Sequence, residues 1–152
     1  MIDLKAIDIS NFLPHRKPFL MVDKVLELTD DYVATSFVIK ESCVLVEDQF
    51  FSEVGLVENA AQTCSAIVGK SYFDDDDVEG TGTSLIGFIS AIKKIEVLEI
   101  PKIKDEIHTK AQLKSRFDSD AYSICTLGCS TYVSQKKIAS FEMNLFIQEV
   151  SK

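Results

Sequence analysis

The feature that most constrains this chain is residues 52–73, SEVGLVENAAQTCSAIVGKSYF, the one long segment with helical spacing in a sequence otherwise patterned as strands. Val54, Val57, Ala61, Cys64 and Ile67 or Val68 recur at helical intervals, and Leu56, Ala60 and Ala66 widen the stripe until most of the circumference is apolar. Such a helix belongs inside, so the remaining chain has to cover it. Ser52 is placed as its N-cap, Glu53 stands near the positive end of the dipole, and Phe51 and Leu56 are spaced for a hydrophobic staple. Gly69 offers one stop and the polar run after Phe73 a later one.

The cover is legible in the alternation. Residues 1–12 form a short amphipathic piece that docks on the body as a short helix. Phe19 to Leu28 reads as a first strand, Thr29 to Asp31 as a turn and Tyr32 to Ile39 as its antiparallel partner. After the helix, FDDDDVEGTGT reads as a solvated loop, and residues 83–99 as a long strand ended by Pro101 to Asp105. Residues 106–117 alternate, with Ile107, Thr109, Ala111, Leu113 and Phe117 on one face and Glu106, His108, Lys110, Gln112, Lys114 and Arg116 facing water. Tyr122 to Val133 and a last strand follow, the latter pointing Ala139, Phe141, Met143, Leu145 and Ile147 inward. Long antiparallel strands with one apolar face need something of matching length beneath them, and the helix is the only candidate. The expectation is an α+β protein of one domain over residues 1–152, its long sheet wrapped around a central helix at about 52–73.

At 152 residues the chain is about the length of one domain, enough to bury roughly 70% of its unfolded surface. Its excess of acidic over basic residues, 24 against 16, repels phosphate backbones, so nucleic acid is not an expected partner. Asp3, Lys5 and Asp8 break up the start of the chain, no run reaches the roughly 18 apolar residues of a membrane span, and a cytoplasmic protein is expected. Cys43, Cys64, Cys125 and Cys129 show no metal-ligand spacing. On a strand Cys125 and Cys129 stand about 13 Å apart, so buried free thiols are expected and neither a metal nor a cofactor is.

Two side chains attract chemical interest. Glu58 lies within the apolar helix, where burial disfavours a charged carboxyl and a neutral acid suits proton donation; the alternative is an exposed Glu where the helix emerges. Gln62, one turn on, can hold that carboxylate. Gln62, Gly55 and Val54 are the expected substrate-binding residues, although Gly55 can equally relieve packing. His15 sits between Pro14 and Pro18, in a turn that either aims its ring as a base or uses it to close the loop. His108, among lysines on a polar strand face, is read as solvated.

LPHRKPFLMVDKVLEL and ENAAQTCSA resemble the LPHRxPFLLVDRV opening and the ExxAQ helix motif of the 3-hydroxyacyl-acyl-carrier-protein dehydratases, the FabZ-like family, with GFISAIKKIEVLEIPKIKDEIH a weaker third similarity. That resemblance implies a hot-dog fold and removal of water from 3-hydroxyacyl thioesters to give trans-2-enoyl thioesters in fatty acid or polyene-type biosynthesis. It implies a dimer in which a histidine of one subunit deprotonates C2 and a glutamic acid of the other protonates the leaving hydroxyl. The glutamate corresponds to Glu58, followed by Gln62. The family histidine, in a GHFP motif, has no counterpart: Cys43 to Val46 reads CVLV, which leaves His15 as the base. In this the chain is similar to the dehydratase-like proteins of aryl-polyene and related pigment clusters. The alternatives are a non-catalytic hot-dog subunit that binds an acyl chain or pairs with an active dehydratase, and an acyl thioesterase. Expected partners are a carrier-protein-linked acyl thioester and a second hot-dog subunit, identical or different. Arg16, Lys17, Lys93, Lys94, Lys102 and Lys104 are candidates for the basic docking surface, with Lys136 and Lys137 behind them. Dehydration through His15 requires its ring within about 8 Å of Glu58, so that both reach one substrate.

Overall fold

The computed structural model describes residues 9, 13, 15–70 and 84–150. The elements are β1 (Lys24–Leu28), β2 (Tyr32–Val38), β3 (Val46–Glu47), β4 (Phe50–Phe51), α1 (Glu53–Lys70), β5 (Ser84–Val97), β6 (Glu106–Asp118), β7 (Ser123–Val133) and β8 (Lys136–Val150). Six strands form one antiparallel sheet in the order β1-β2-β6-β7-β8-β5, and α1 packs against β2, β5, β6, β7 and β8. This is the expected sheet around a central helix. Apart from Ile9, which packs partly buried against the core, the N-terminal piece expected over residues 1–12 lies outside the described residues. So does the acidic loop at 73–83.

The alternation of β7 and β8 explains the core. Cys125, Leu127 and Cys129 from β7 and Ala139, Phe141, Met143, Leu145 and Ile147 from β8 are buried, and Leu56, Ala60, Cys64 and Ile67 meet them from α1. All four cysteines are free thiols, three buried and Cys43 half-buried. Ser52 caps α1 as expected: its hydroxyl accepts from the Gly55 N–H at 3.1 Å, and its carbonyl from the Leu56 N–H at 3.1 Å.

Three departures from the sequence reading have local causes. The first strand starts at Lys24 rather than Phe19, because the backbone groups of Phe19 and Met21 bond side-chain amides of α1 instead of a neighbouring strand. A short ribbon, β3 and β4, was not expected. It turns at Asp48 and Gln49 with φ of 49° and 71°, a left-handed geometry that Asn-Gly pairs announce and Asp-Gln does not. The ribbon delivers the chain to the helix cap, with the Ser52 N–H donating to the Leu45 carbonyl at 2.9 Å.

The third departure is a bulge in β6 between Leu113 and Ser115. Beyond it Arg116 pairs with the inward-facing Cys125, and Phe117, expected inside, pairs with Ile124 and is 60% exposed. Its ring lies 6.5 Å from that of Tyr122. Lys114, at the bulge, reaches from β6 to Glu142 on β8 at 2.6 Å. Its stem passes over Gly128 of β7, where an added Cβ would come within 2.8 Å of the lysine Cε. The lysine holds the Glu142 carboxyl below the ordinary range.

Candidate active site

Glu58, Asn59 and Gln62 project from consecutive turns of α1 onto the segment that carries His15. That segment is braced from within. The Arg16 guanidinium donates through Nη1 to the carbonyls of Leu13 at 2.8 Å and His15 at 2.9 Å, while the Arg16 carbonyl accepts from Phe19 and Leu20. The Lys17–Pro18 peptide in this turn is cis. Its exit is fastened to the helix. Gln62 accepts the Met21 N–H at 2.7 Å and donates to the Phe19 carbonyl at 2.7 Å, and Asn59 donates to the Met21 carbonyl at 2.7 Å.

The consequence is that His15 and Glu58 face each other within one chain, His15 Nε2 lying 3.6 Å from Glu58 Oε1. Gln62 Nε2 also donates to Oε1, at 2.8 Å, which orients the carboxyl. The two side chains keep 29% and 35% of their surface exposed, so the pair is open to a substrate. His15 Nδ1 is buried with no hydrogen-bond partner among the described residues, which leaves Nε2 as the accessible nitrogen. Burial lowers the His15 pKa below its ordinary 6.5; the Glu58 charge opposes that shift and the Arg16 charge reinforces it. A neutral imidazole beside a carboxyl can take a proton from carbon while the carboxyl serves an oxygen.

The other expected site residues fall differently. Gln62 is fully buried and bonded to Phe19, Met21 and Glu58, so it holds Glu58, one of the two parts expected of it, and does not line a substrate surface. Gly55 is buried under Phe51, whose ring an added Cβ would meet at 2.5 Å; the glycine serves packing, and the ring stands where a substrate would approach. Val54 is 64% exposed and one helical turn before Glu58, a position open to a ligand. Phe19, whose carbonyl Gln62 holds, is 62% exposed. Glu58 itself is half-buried at the helix surface rather than enclosed by it. His108 lies 3.8 Å from Glu106 and is 43% exposed, away from this pair, as a solvated residue would be.

Sequence reasoning passes over Asn59, and it offers Arg16 for a docking surface where the structure uses its guanidinium to brace the turn. Asn59 did carry a signal: an amide inside an apolar helix has to find buried partners. Among the described residues no group of His, Cys, Asp and Glu is arranged to hold a metal, and no helix is long and apolar enough to cross a membrane.

A family model described as ApeP-like, ApeP dehydratase, matches residues 7–152. The 3-hydroxyacyl-[acyl-carrier-protein] dehydratase FabZ of Rhizobium etli strain CIAT 652 is 33% identical over 113 residues, 68% of this chain and 67% of that one. FabZ of Streptococcus uberis is 58% identical over 33 residues, 22% of each chain. FabZ of Rhizobium johnstonii is 40% identical over 72 residues, 42% of this chain and 45% of its own, so some of these matches span less than half of the relative. Among solved structures, the dehydratase heterocomplex ApeI:P of Xenorhabdus doucetiae superposes with a TM-score of 0.75 at 12% identity, covering 96% of this chain and 93% of that one. A hypothetical thioesterase of Streptococcus pneumoniae TIGR4, solved with coenzyme A, gives 0.55 at 11% identity over 85% and 88%. At such identities these two likenesses carry the hot-dog fold and nothing finer.

Proposed function

The chain belongs to the ApeP-like family of dehydratases, and from that premise we propose that it removes water from carrier-protein-linked 3-hydroxyacyl thioesters, with His15 as base and Glu58 as acid. The observation that carries the assignment of residues is the 3.6 Å approach of His15 Nε2 to Glu58 Oε1, with Gln62 holding the carboxyl. The relatives named for 3-hydroxyacyl-[acyl-carrier-protein] dehydration supply the substrate class.

In this reading the His15–Glu58 pair holds one proton, which sits on Glu58 in the reacting form, and the neutral His15 Nε2 takes the proton from C2 beside the thioester carbonyl. The C2–C3 double bond forms as the C3–O bond breaks, and Glu58 delivers its proton to the departing hydroxyl, which leaves as water. Imidazolium and carboxylate then face each other, and one proton passing between them restores both. General acid–base groups of this kind each contribute about 10²–10⁴ in rate. Val54, and Phe19 beside the clamp, offer apolar surface for the acyl chain.

The test is turnover of a 3-hydroxyacyl thioester, on a carrier protein and on a smaller thiol, by wild type, Glu58→Gln and His15→Ala, each first shown to fold. A loss of about 10²-fold or more in both variants is expected. Loss confined to Glu58→Gln would remove His15 from the base role and point to a thioesterase or another base. An inactive wild type on both substrates would leave a binding subunit that needs an active hot-dog partner.

A further inference from the structure

Asn59, on α1, bonds both the segment that follows His15 and strand β6 of the sheet. Its side chain is 1% exposed. Oδ1 accepts from the Thr109 hydroxyl of β6 at 2.7 Å, and Nδ2 donates to the Met21 carbonyl at 2.7 Å. Thr109, having given its proton to Asn59, accepts in turn from Thr131 of β7 at 3.1 Å, and both threonines are buried. Each member of this row has one direction available, so the Asn59 amide cannot flip without leaving buried groups unpaired.

At Met21 the row meets a second amide. Gln62 accepts the Met21 N–H while Asn59 donates to the Met21 carbonyl, so two side chains three residues apart on α1 take the place of a neighbouring strand for that residue. Met21 is fully buried and lies six residues after His15, through a turn held together by Arg16. Gln62 bonds the carboxyl as well as the turn, whereas the Asn59 side chain bonds Met21 and Thr109 and neither the His15 ring nor the Glu58 carboxyl. Its influence on them passes through Met21.

We propose that Asn59 is a positioning residue that, through its bond to the Met21 carbonyl, sets the height of the His15 turn on α1, and so the His15–Glu58 separation. The proposal rests on the reading of His15 and Glu58 as the working pair. A base and an acid that must bracket adjacent carbons are sensitive to such a setting, since a displacement of about 1 Å can cost up to 10²-fold in rate.

The test measures the pair without relying on turnover. Glu58 raises and Arg16 lowers the His15 titration midpoint, so Glu58→Gln lowers it by an amount that reports how near the two groups sit. That drop is measured by imidazole NMR in the wild-type, Asn59→Ala and Thr109→Val backgrounds, the His15 signal being assigned by its absence from His15→Ala. Asn59→Ala is expected to shrink the drop by about half or more, while Thr109→Val, which also removes a buried bond but leaves the Met21 contact, retains it. In turnover, Asn59→Ala is expected to lose about tenfold in kcat with KM changed less than about twofold. Should Asn59→Ala not fold, Asn59→Ser replaces it: it leaves a hydroxyl in the buried space but, one bond shorter than the amide, does not reach the Met21 carbonyl. An undiminished drop in the Asn59 variant, or an equal shrinkage in Thr109→Val, overturns the positioning role. An inactive wild type instead overturns the dehydratase reading and leaves the NMR comparison decisive for Asn59.

Discussion

At the scale of single residues, His15 owes its place opposite Glu58 to the turn that carries it. Burial makes the neutral ring the favoured form in the folded chain, and the unfolded ring titrates near 6.5. Between the folded value and 6.5 the unfolded state binds more protons, so the stability this group contributes is complete above pH 6.5 and is lost as pH falls through the folded value. We therefore expect wild type to lose stability more steeply than His15→Gln as pH drops below 6.5, read from urea midpoints across pH. For the same reason the acidic limb of kcat/KM should lie below 6.5. A limb above that value would mean that burial does not govern the ring. Gly55 teaches the reverse lesson. A glycine beside a candidate acid suggests room for a ligand, and here Phe51 already occupies that room.

At the scale of elements, α1 is apolar enough to be buried but is registered by its polar positions. Asn59 bonds β6, Gln62 bonds the turn after His15, and Thr63 bonds Thr35 of β2 hydroxyl to hydroxyl at 2.8 Å, with both of these threonines buried. Apolar packing alone would tolerate a helix rotated or slid by a fraction of a turn, whereas each buried bond has to be made in full. For the threonine pair this has a measurable form. Thr63→Val leaves the Thr35 hydroxyl unpaired and should cost about 1–3 kcal/mol, while Thr35→Val combined with Thr63→Val removes both and should recover most of that loss. Simple addition of the two single costs in denaturant titrations would show that the bond contributes nothing to registering α1 on β2.

At the scale of the whole molecule, the sheet ends on β5, a long edge strand whose far side has no neighbour among the described residues. Ile86, Phe88, Ile92 and Ile95 along it and Leu98 just beyond are 43–61% exposed, a combination of open edge and apolar surface that free-standing sheets avoid. A second hot-dog chain pairing there, identical or different, is the assembly we propose. Sedimentation of the purified chain should give at least twice its 17.0 kDa mass, and Ile92→Asp should return it to a folded monomer. A wild-type monomer at micromolar concentration would require a different chain as the partner. For the proposed carrier-protein substrate, Arg16, whose Nη1 braces the turn, and Lys136, which pairs with Glu99, are less available as docking groups than the remaining basic candidates.

What the sequence determined by itself was the architecture and the two candidates for reactive groups. Period-two alternation in residues 106–150, a helix apolar nearly all round and the LPH and ExxAQ motifs are local patterns, and local patterns survive without coordinates. Even there the bulge at Lys114 escaped, because one extra residue inverts every later side chain of a strand without changing its composition. Only the tertiary structure decided that His15 meets Glu58, since the two lie 43 residues apart and their separation depends on bonds that Asn59 and Gln62 make to the backbone at Phe19 and Met21. A backbone carbonyl looks the same at every residue. Which of them a buried amide will find is settled by packing in three dimensions, and with it the difference between a histidine that closes a loop and one that faces an acid.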